Sequence, residues 1–73
     1  MSLTDLRHGQ SATITAIPDE YLRVQLLRFG ITCGSEIRCH CKLPLGPVVL
    51  KFGSQEIAMG REIARMVSVQ ANR

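Results

Sequence analysis

Three cysteines and a histidine in the middle of the chain are the side chains best suited to chemistry. Cys39, His40 and Cys41 are consecutive, and Cys33 precedes Cys39 by six residues. Thiolates and imidazoles are good ligands for zinc and iron, and thiols also carry redox chemistry. The spacing therefore raises one candidate function, a metal or redox sensor built on Cys33, Cys39 and Cys41.

The residues around these cysteines favour a structural role. From Ser35 to Leu43 apolar and polar residues alternate, which is typical of a half-buried β-strand. Neighbouring side chains of a strand point to opposite faces, so His40 cannot share a metal with Cys39 and Cys41 from the same strand. A buried free cysteine behaves as a small apolar residue. We therefore expect two core thiols and no resident metal or cofactor, because a transition-metal site would need Cys33 or another chain to complete it.

Groups for catalysis do not converge in this sequence. An enzyme of this size would need a nucleophile beside its base, or two positioned carboxylates. The acidic residues are scattered singly, except for Asp19 and Glu20, which suit the start of a helix. The glycine turns have no lysine after them, so a phosphate-binding loop is not expected. We expect a protein that is not an enzyme, and we assign His8 to a solvated turn.

Short alternating segments, separated by glycine and proline, make up most of the chain. They predict strands at 11–17, 35–43, 48–52 and 55–59 and a brief last strand at Val67 and Val69. Asp19 is a good N-cap and Gly30 a good stop, so a helix is predicted from Glu20 to Phe29. Because closure removes exposed sheet edges, five strands and one helix favour a mainly β fold, a small closed barrel. Residues 1–73 are expected to form a single domain.

The predicted helix carries more apolar side chains than a small barrel can cover. At 3.6 residues per turn Leu22, Leu26 and Phe29 share one stripe, whereas Val24 and Leu27 lie on a second stripe about 100° away. Burying a leucine fully is worth about 2 kcal/mol, so a second apolar stripe left in water favours a partner that covers it.

We therefore predict a docking surface on the helix and the loop that follows it, rimmed by arginines. Periodicity does not decide which of the two adjacent leucines faces outward, so both are included, and the alternative is that both stripes belong to the core. Self-association through the same surface is a competing use. The predicted docking residues are Arg23, Val24, Leu26, Leu27, Arg28 and Ile31.

The composition of the chain limits the remaining classes of protein to which it could belong. The chain is 45% hydrophobic and 21% charged, which argues for a folded domain. The net charge of +3 comes from nine scattered basic residues, and Tyr21, Phe29 and Phe52 are too few to stack nucleic-acid bases, so nucleic-acid binding is not expected. There is no apolar run near the about 20 residues of a membrane span and no secretory leader pattern. With an odd number of cysteines, we expect reduced thiols and a cytoplasmic location.

Four short motifs follow one another along the chain. They are Leu6-Arg7-His8-Gly9; Arg23, Leu26, Leu27, Phe29, Gly30, Ile31 and Gly34 at the helix and its exit; Pro44-Leu45-Gly46; and Ile57-Ala58-Met59-Gly60-Arg61-Glu62-Ile63-Ala64. In this order they resemble the FeoA family. Relative to the family pattern, Cys33 stands where the family usually has proline, and Pro47 follows Gly46 directly, which makes that loop one residue shorter.

The resemblance implies a fold and a role. It implies an SH3-like β-barrel with one helix inserted after the first strand. It also implies a small cytoplasmic protein of bacteria that binds the GTP-hydrolysing cytoplasmic part of the ferrous iron transporter FeoB and supports or regulates iron uptake. The same module occurs as the carboxy-terminal domain of metal-dependent repressors, an alternative that is disfavoured because no helix-turn-helix pattern precedes the barrel.

Overall fold

All the strands in the part of the chain that the structure describes, residues 1–72 of a computed structural model, belong to one antiparallel sheet. The strand order is β4-β3-β2-β1-β5. The elements are β1 (Ser11–Ala16), α1 (Glu20–Leu27), β2 (Glu36–Lys42), β3 (Val48–Phe52), β4 (Gln55–Met59), a one-turn helix α2 (Arg61–Ala64) and β5 (Ser68–Ala71), preceded by a 3₁₀ turn at Leu3–Asp5.

The molecule measures 27 × 25 × 23 Å, nearly equal in every direction. These dimensions indicate that the sheet curls around one core. The mainly β class, the five strands and the position of the helix after the first strand are confirmed. Within residues 1–72, however, β4 and β5 do not pair, so the barrel is open along that seam. The short helix α2 connects these two strands.

The N-terminal turn closes one side of the core. Ser2 caps it in both directions: its hydroxyl accepts from Thr4 N, and its own N–H donates to Asp5 Oδ2 at 2.8 Å. Leu3 and Leu6 are completely buried, and Leu3 N donates to Val67 O at 3.2 Å. The turn therefore inserts two leucines that the strand pattern did not reveal.

A β-bulge interrupts the predicted alternation of β2. Cys39 pairs with Leu50, but Cys41 pairs with Val49, so the register shifts at His40. A bulge of this kind sends the residues after it to the opposite face. The expectation that Cys39 and Cys41 share a face is therefore wrong: Cys39 is fully buried, Cys41 is half-buried beside the outer face, and Leu43 is 49% exposed.

The element boundaries follow local stop signals. The strands predicted at 48–52 and 55–59 are confirmed, joined through Gly53 with φ +61°. The helix ends two residues earlier than predicted, at Leu27. The last strand, predicted at Val67 and Val69, starts one residue later and ends two residues later, at Ser68–Ala71. Phe29 consequently lies outside the helix.

Candidate functional site

The candidate site is built on α1, whose first turn is held by local hydrogen bonds. Asp19 is the N-cap, and its Oδ1 accepts from Leu22 N at 2.8 Å. Glu20 occupies the first turn, where a negative charge is favourable. Arg23 Nη1 donates to Ile17 O at 3.2 Å. This last bond fixes the arginine at the edge of the helix rather than leaving it free in water.

A Schellman motif ends the helix and decides which side chains are buried. Gly30 adopts φ +84°, its N–H donates to Leu27 O at 2.9 Å, and Ile31 N donates to Leu26 O at 3.0 Å. In this motif the residue after the glycine packs against the residue in the last helical turn to which it is bonded. Ile31 and Leu26 are accordingly both buried, with exposed fractions of 1% and 3%.

The structure thus divides the predicted docking residues into two groups. Leu26 and Ile31 belong to the core and do not line the surface, which also settles the choice between the adjacent leucines. Val24 is 48% exposed and Leu27 57% exposed, on one stripe of the helix with Tyr21. Arg23 and Arg28 are exposed.

Phe29, expected on the buried stripe, is 44% exposed. It lies beyond Leu27, the last residue of the helix, and its N–H donates to Leu26 O at 3.0 Å. Its carbonyl accepts from Gln55 Nε2 at 3.0 Å, which ties the helix exit to the start of β4.

The loop after the helix is a tight turn anchored to β1. Ser35 N donates to Thr32 O at 3.0 Å, and Gly34 has φ +94°, as the third residue of a type II turn requires. Gly34 N donates to Ile14 O at 2.7 Å, and Ile14 N donates to Ser35 O at 2.9 Å. The loop is therefore positioned by the sheet and faces α1 in a fixed geometry.

Between this loop and the exposed stripe of α1 lies a groove of about 360 Å³. Its floor and walls are mostly apolar, and an arginine stands at its edge. The lining residues are Arg23, Val24, Leu27, Thr32 and Cys33. The docking surface predicted on the helix and the Gly30 to Gly34 loop covers this groove, although the predicted docking residues named one by one did not include Thr32 or Cys33.

Cys33→Pro is expected to stabilise the protein. Cys33 is the second residue of the type II turn, a position where proline is favoured, and within residues 1–72 its N–H makes no hydrogen bond. Proline there restricts the unfolded chain and should add about 0.4–1 kcal/mol to the free energy of unfolding. Urea unfolding measures this, with Gly34→Ala as a matched control that should destabilise because of its positive φ. A loss of stability in Cys33→Pro would contradict the turn assignment.

The cysteines are dispersed over different environments. Cys33 is exposed in the loop, Cys39 is in the core, and Cys41 is half-buried beyond the bulge. In residues 1–72 no set of three potential ligands among histidine, cysteine and acidic residues is close enough to hold a metal ion. His40 is exposed on the outer face, with Nε2 3.7 Å from Glu56 Oε2.

Burial raises the pKa of the Cys39 thiol above its ordinary value of 9.0. When the pKa of a group is higher in the folded than in the unfolded state, its contribution to the stability of the folded state is complete below the unfolded-state pKa. That contribution is lost as the pH rises through the folded-state pKa. The free energy of unfolding should therefore decline between about pH 8 and pH 10, more in the wild type than in Cys39→Ala. Urea titrations at both pH values test this; equal declines in the two proteins would contradict it.

A second apolar hollow lies away from α1. It has a volume of about 460 Å³, between the loop that precedes β3 and the helix α2. Leu45 in that loop is 99% exposed and has φ +58°. The chain enters β3 on this side, whereas the groove on α1 is tied to the far end of the same strand through the Gly53 turn and Gln55. The two hollows therefore lie at opposite ends of β3.

The fold is a small five-stranded antiparallel barrel that is open along one seam and has its main helix after the first strand. Such a domain belongs to the SH3-like class. The sequence profile of the FeoA domain matches residues 1–71. The chain therefore belongs to the FeoA family, whose members are accessory proteins of ferrous iron transport with this SH3-like fold.

Solved structures agree with this assignment. An iron uptake regulatory protein (FeoA) crystal structure superimposes with a TM-score of 0.85 at 25% identity, covering 96% of this chain and 95% of that one. FeoA from Chlorobium tepidum gives a TM-score of 0.86 at 25% identity, over 97% and 70% of the two chains.

FeoA from Stenotrophomonas maltophilia gives a TM-score of 0.80 at 24% identity, covering 96% of this chain and 89% of that one. That structure was solved with zinc and is described as a prokaryotic SH3 domain protein. No curated protein matches the chain significantly. Within residues 1–72, no helix has the length and apolar character to cross a bilayer.

Proposed function

We propose that this protein is a cytoplasmic accessory protein of ferrous iron transport that binds the GTPase part of a FeoB-like membrane transporter. The contact is made by the docking surface, which we define as Arg23, Val24, Leu27, Arg28, Thr32 and Cys33. The observation that carries the proposal is the exposure of Val24 and Leu27 above an apolar groove in a protein of the FeoA family.

The exposure of Val24 and Leu27 is unfavourable in the free protein. Val24 and Leu27 leave about half of their surface in water, and since full burial of such a side chain is worth about 1.5–3 kcal/mol, covering the exposed half is worth about 1 kcal/mol each. A domain of this size has only a few kcal/mol of net stability. An apolar stripe beside a groove is typical of a protein–protein contact, and a partner side chain in the groove recovers the lost burial.

The rest of the surface is suited to hold that contact in one orientation. Leu26 and Ile31 lock the underside of the helix exit into the core, so the exposed stripe is presented on a fixed support. Arg23 and Arg28 place positive charge beside the apolar centre. A partner with an apolar projection surrounded by acidic residues fits this arrangement, and complementary charge speeds and orients association.

Two other uses of the molecule lead to different expectations. Self-association would cover the same stripe across a two-fold axis, and sedimentation that depends on protein concentration would reveal it. A metal or redox sensor would need Cys33, Cys39 and Cys41 to act together, which their three separate environments do not favour.

The proposal is tested by titrating the purified cytoplasmic domain of the transporter into this protein in a calorimeter. We expect saturable binding with one site per protein, independent of added zinc or ferrous iron. Absence of heat and of co-sedimentation at high micromolar concentrations of both proteins would overturn the proposal.

A further inference from the structure

One edge of the sheet is left without a hydrogen-bonding partner in residues 1–72. The outer edge of β5 is covered by the N-terminal segment, since Val69 N donates to Met1 O at 2.8 Å and Ser2 bridges Ser68. The outer edge of β4 receives no such cover, and its backbone pairs only with β3. The molecule therefore protects one end of its sheet and exposes the other.

The hairpin geometry identifies the free backbone groups. Phe52 and Gln55 flank a two-residue turn, so they form a hydrogen-bonded pair, and such pairs alternate along an antiparallel ladder. Gln55, Ile57 and Met59 therefore bond to β3. The N–H and C=O groups of Glu56 and Ala58 point away from β3, toward the open seam.

This edge lacks most of the features that prevent strand pairing. Natural edges are blunted by proline, lysine or a bulge. The register of β4 on β3 is regular at all five positions, and the segment Gln55–Met59 contains no proline or lysine. Its single charge is Glu56. A regular edge of this kind is a template for an added strand.

We propose that β4 accepts an extended segment of the partner protein, which adds to the sheet as a sixth strand. The inference rests on the proposed function in taking the transporter as the owner of that segment. Gln55 Nε2 bonds to Phe29 O at 3.0 Å, so the edge is continuous with the exit of α1 and the docking surface. One partner can therefore occupy both.

The side chains of β4 define the chemistry of that segment. Glu56 and Ala58 are exposed on the outer face, and Glu56 favours a lysine or arginine opposite it. Ile57 and Met59 face the core but retain 9% and 8% exposure, which an apolar side chain would cover. The segment therefore alternates basic residues on the outer face with apolar residues on the inner face.

A second copy of this chain is a less suitable occupant. Two copies joined only through a strand of five residues would bury less than the about 1,200 Å² of a stable interface. A segment that belongs to a partner already held at α1 needs no such area of its own, because its binding is then intramolecular.

Ala58→Pro tests the inference with little effect on the fold. Proline removes the outward N–H of residue 58 and is tolerated on an edge where that group faces solvent, so the bonds to β3 remain. Ala58→Thr is the matched control, since it keeps the N–H and suits a strand. The probes are the transporter's cytoplasmic domain and a synthetic hexapeptide of alternating lysine and valine, each mixed with the full chain.

The readouts are the amide exchange rates of Glu56 and Ala58 by NMR and the affinity for each probe. We expect both probes to slow exchange of the two amides at least tenfold in the wild type, and Ala58→Pro, but not Ala58→Thr, to weaken binding at least tenfold. Unchanged exchange with both probes overturns the inference. Protection that rises with protein concentration alone assigns the edge to a second copy and also overturns it.

The two proposals fail in distinguishable ways. If the transporter domain binds through Leu27 while the Glu56 and Ala58 amides stay unprotected, strand addition is excluded and the docking function stands. If the peptide protects these amides but the transporter domain does not bind, β4 accepts a strand of the stated chemistry, whereas the docking function and the assignment of that strand to the transporter both fail.

Discussion

Leu27→Asp is expected to weaken binding of the transporter's cytoplasmic domain by at least about 30-fold, which corresponds to about 2 kcal/mol. Leu27 is 57% exposed at the wall of the groove, so an aspartate there remains in water in the free protein. In the complex the carboxylate would be buried against apolar groups, where an unpaired charge is strongly unfavourable. The free energy of unfolding should fall by only about 1 kcal/mol, because Leu27 is the last residue of α1, where a negative charge opposes the helix dipole.

The matched control for this variant is Leu45→Asp. Leu45 is the most exposed leucine of the described chain, at 99%, and lies in the loop at the other end of β3. If binding depends on the docking surface, calorimetry should give the wild-type affinity for Leu45→Asp. Loss of binding in Leu45→Asp with retention in Leu27→Asp would move the contact to the hollow between that loop and α2.

Leu26→Ala is expected to have the largest effect on stability. Leu26 is 3% exposed and packs with Ile31 at the helix exit, so its truncation removes buried surface and leaves a cavity. Such changes cost about 2–5 kcal/mol. In a domain with only a few kcal/mol of net stability, a large part of the population should then be unfolded at 25 °C.

Thermal and urea unfolding followed by circular dichroism measure this effect. The comparison with Leu27→Ala is informative, because the two leucines are adjacent and differ only in which face of α1 they occupy. We expect Leu27→Ala to unfold close to the wild type. Equal destabilisation by the two substitutions would contradict the assignment of Leu26 to the core and Leu27 to the surface.

Local signals in the sequence were sufficient to predict most of the fold. Proline and glycine bounded the strands, and Asp19 and Gly30 bounded the helix to within two residues. Alternation of apolar residues identified β3 and β4 with their exact residue ranges. These signals act over a few residues, and the mainly β class follows from counting them.

The errors arose where tertiary contacts override a local pattern. The bulge depends on how β2 pairs with β3, so the sequence of β2 alone does not indicate that Cys41 leaves the core face. The seam between β4 and β5 is likewise a property of the whole sheet. Closure was predicted from the general disadvantage of edges, whereas among the described residues, 1–72, the first three cover the β5 edge and none pairs with the outer edge of β4.

Two missed features did have readable signals. Ser2 and Asp5 stand three residues apart around Leu3, the spacing of a capping box, which would have placed the first leucines on a helical turn against the core. Gly30 as the C-terminal stop implies a contact between the next residue and the last helical turn. That rule would have assigned Ile31 and Leu26 to the core together and left Val24 and Leu27 as the outward pair.

If α1 presents Val24 and Leu27 to the transporter, the methyl groups of these two residues lie in the interface. Methyl NMR of the labelled protein bound to the unlabelled cytoplasmic domain is the decisive measurement. We expect intermolecular contacts from the methyl groups of Val24 and Leu27 and none from Leu45. A complex in which the Val24 and Leu27 methyl groups keep their free-state shifts, or in which Leu45 makes the contacts instead, would rule out docking through α1.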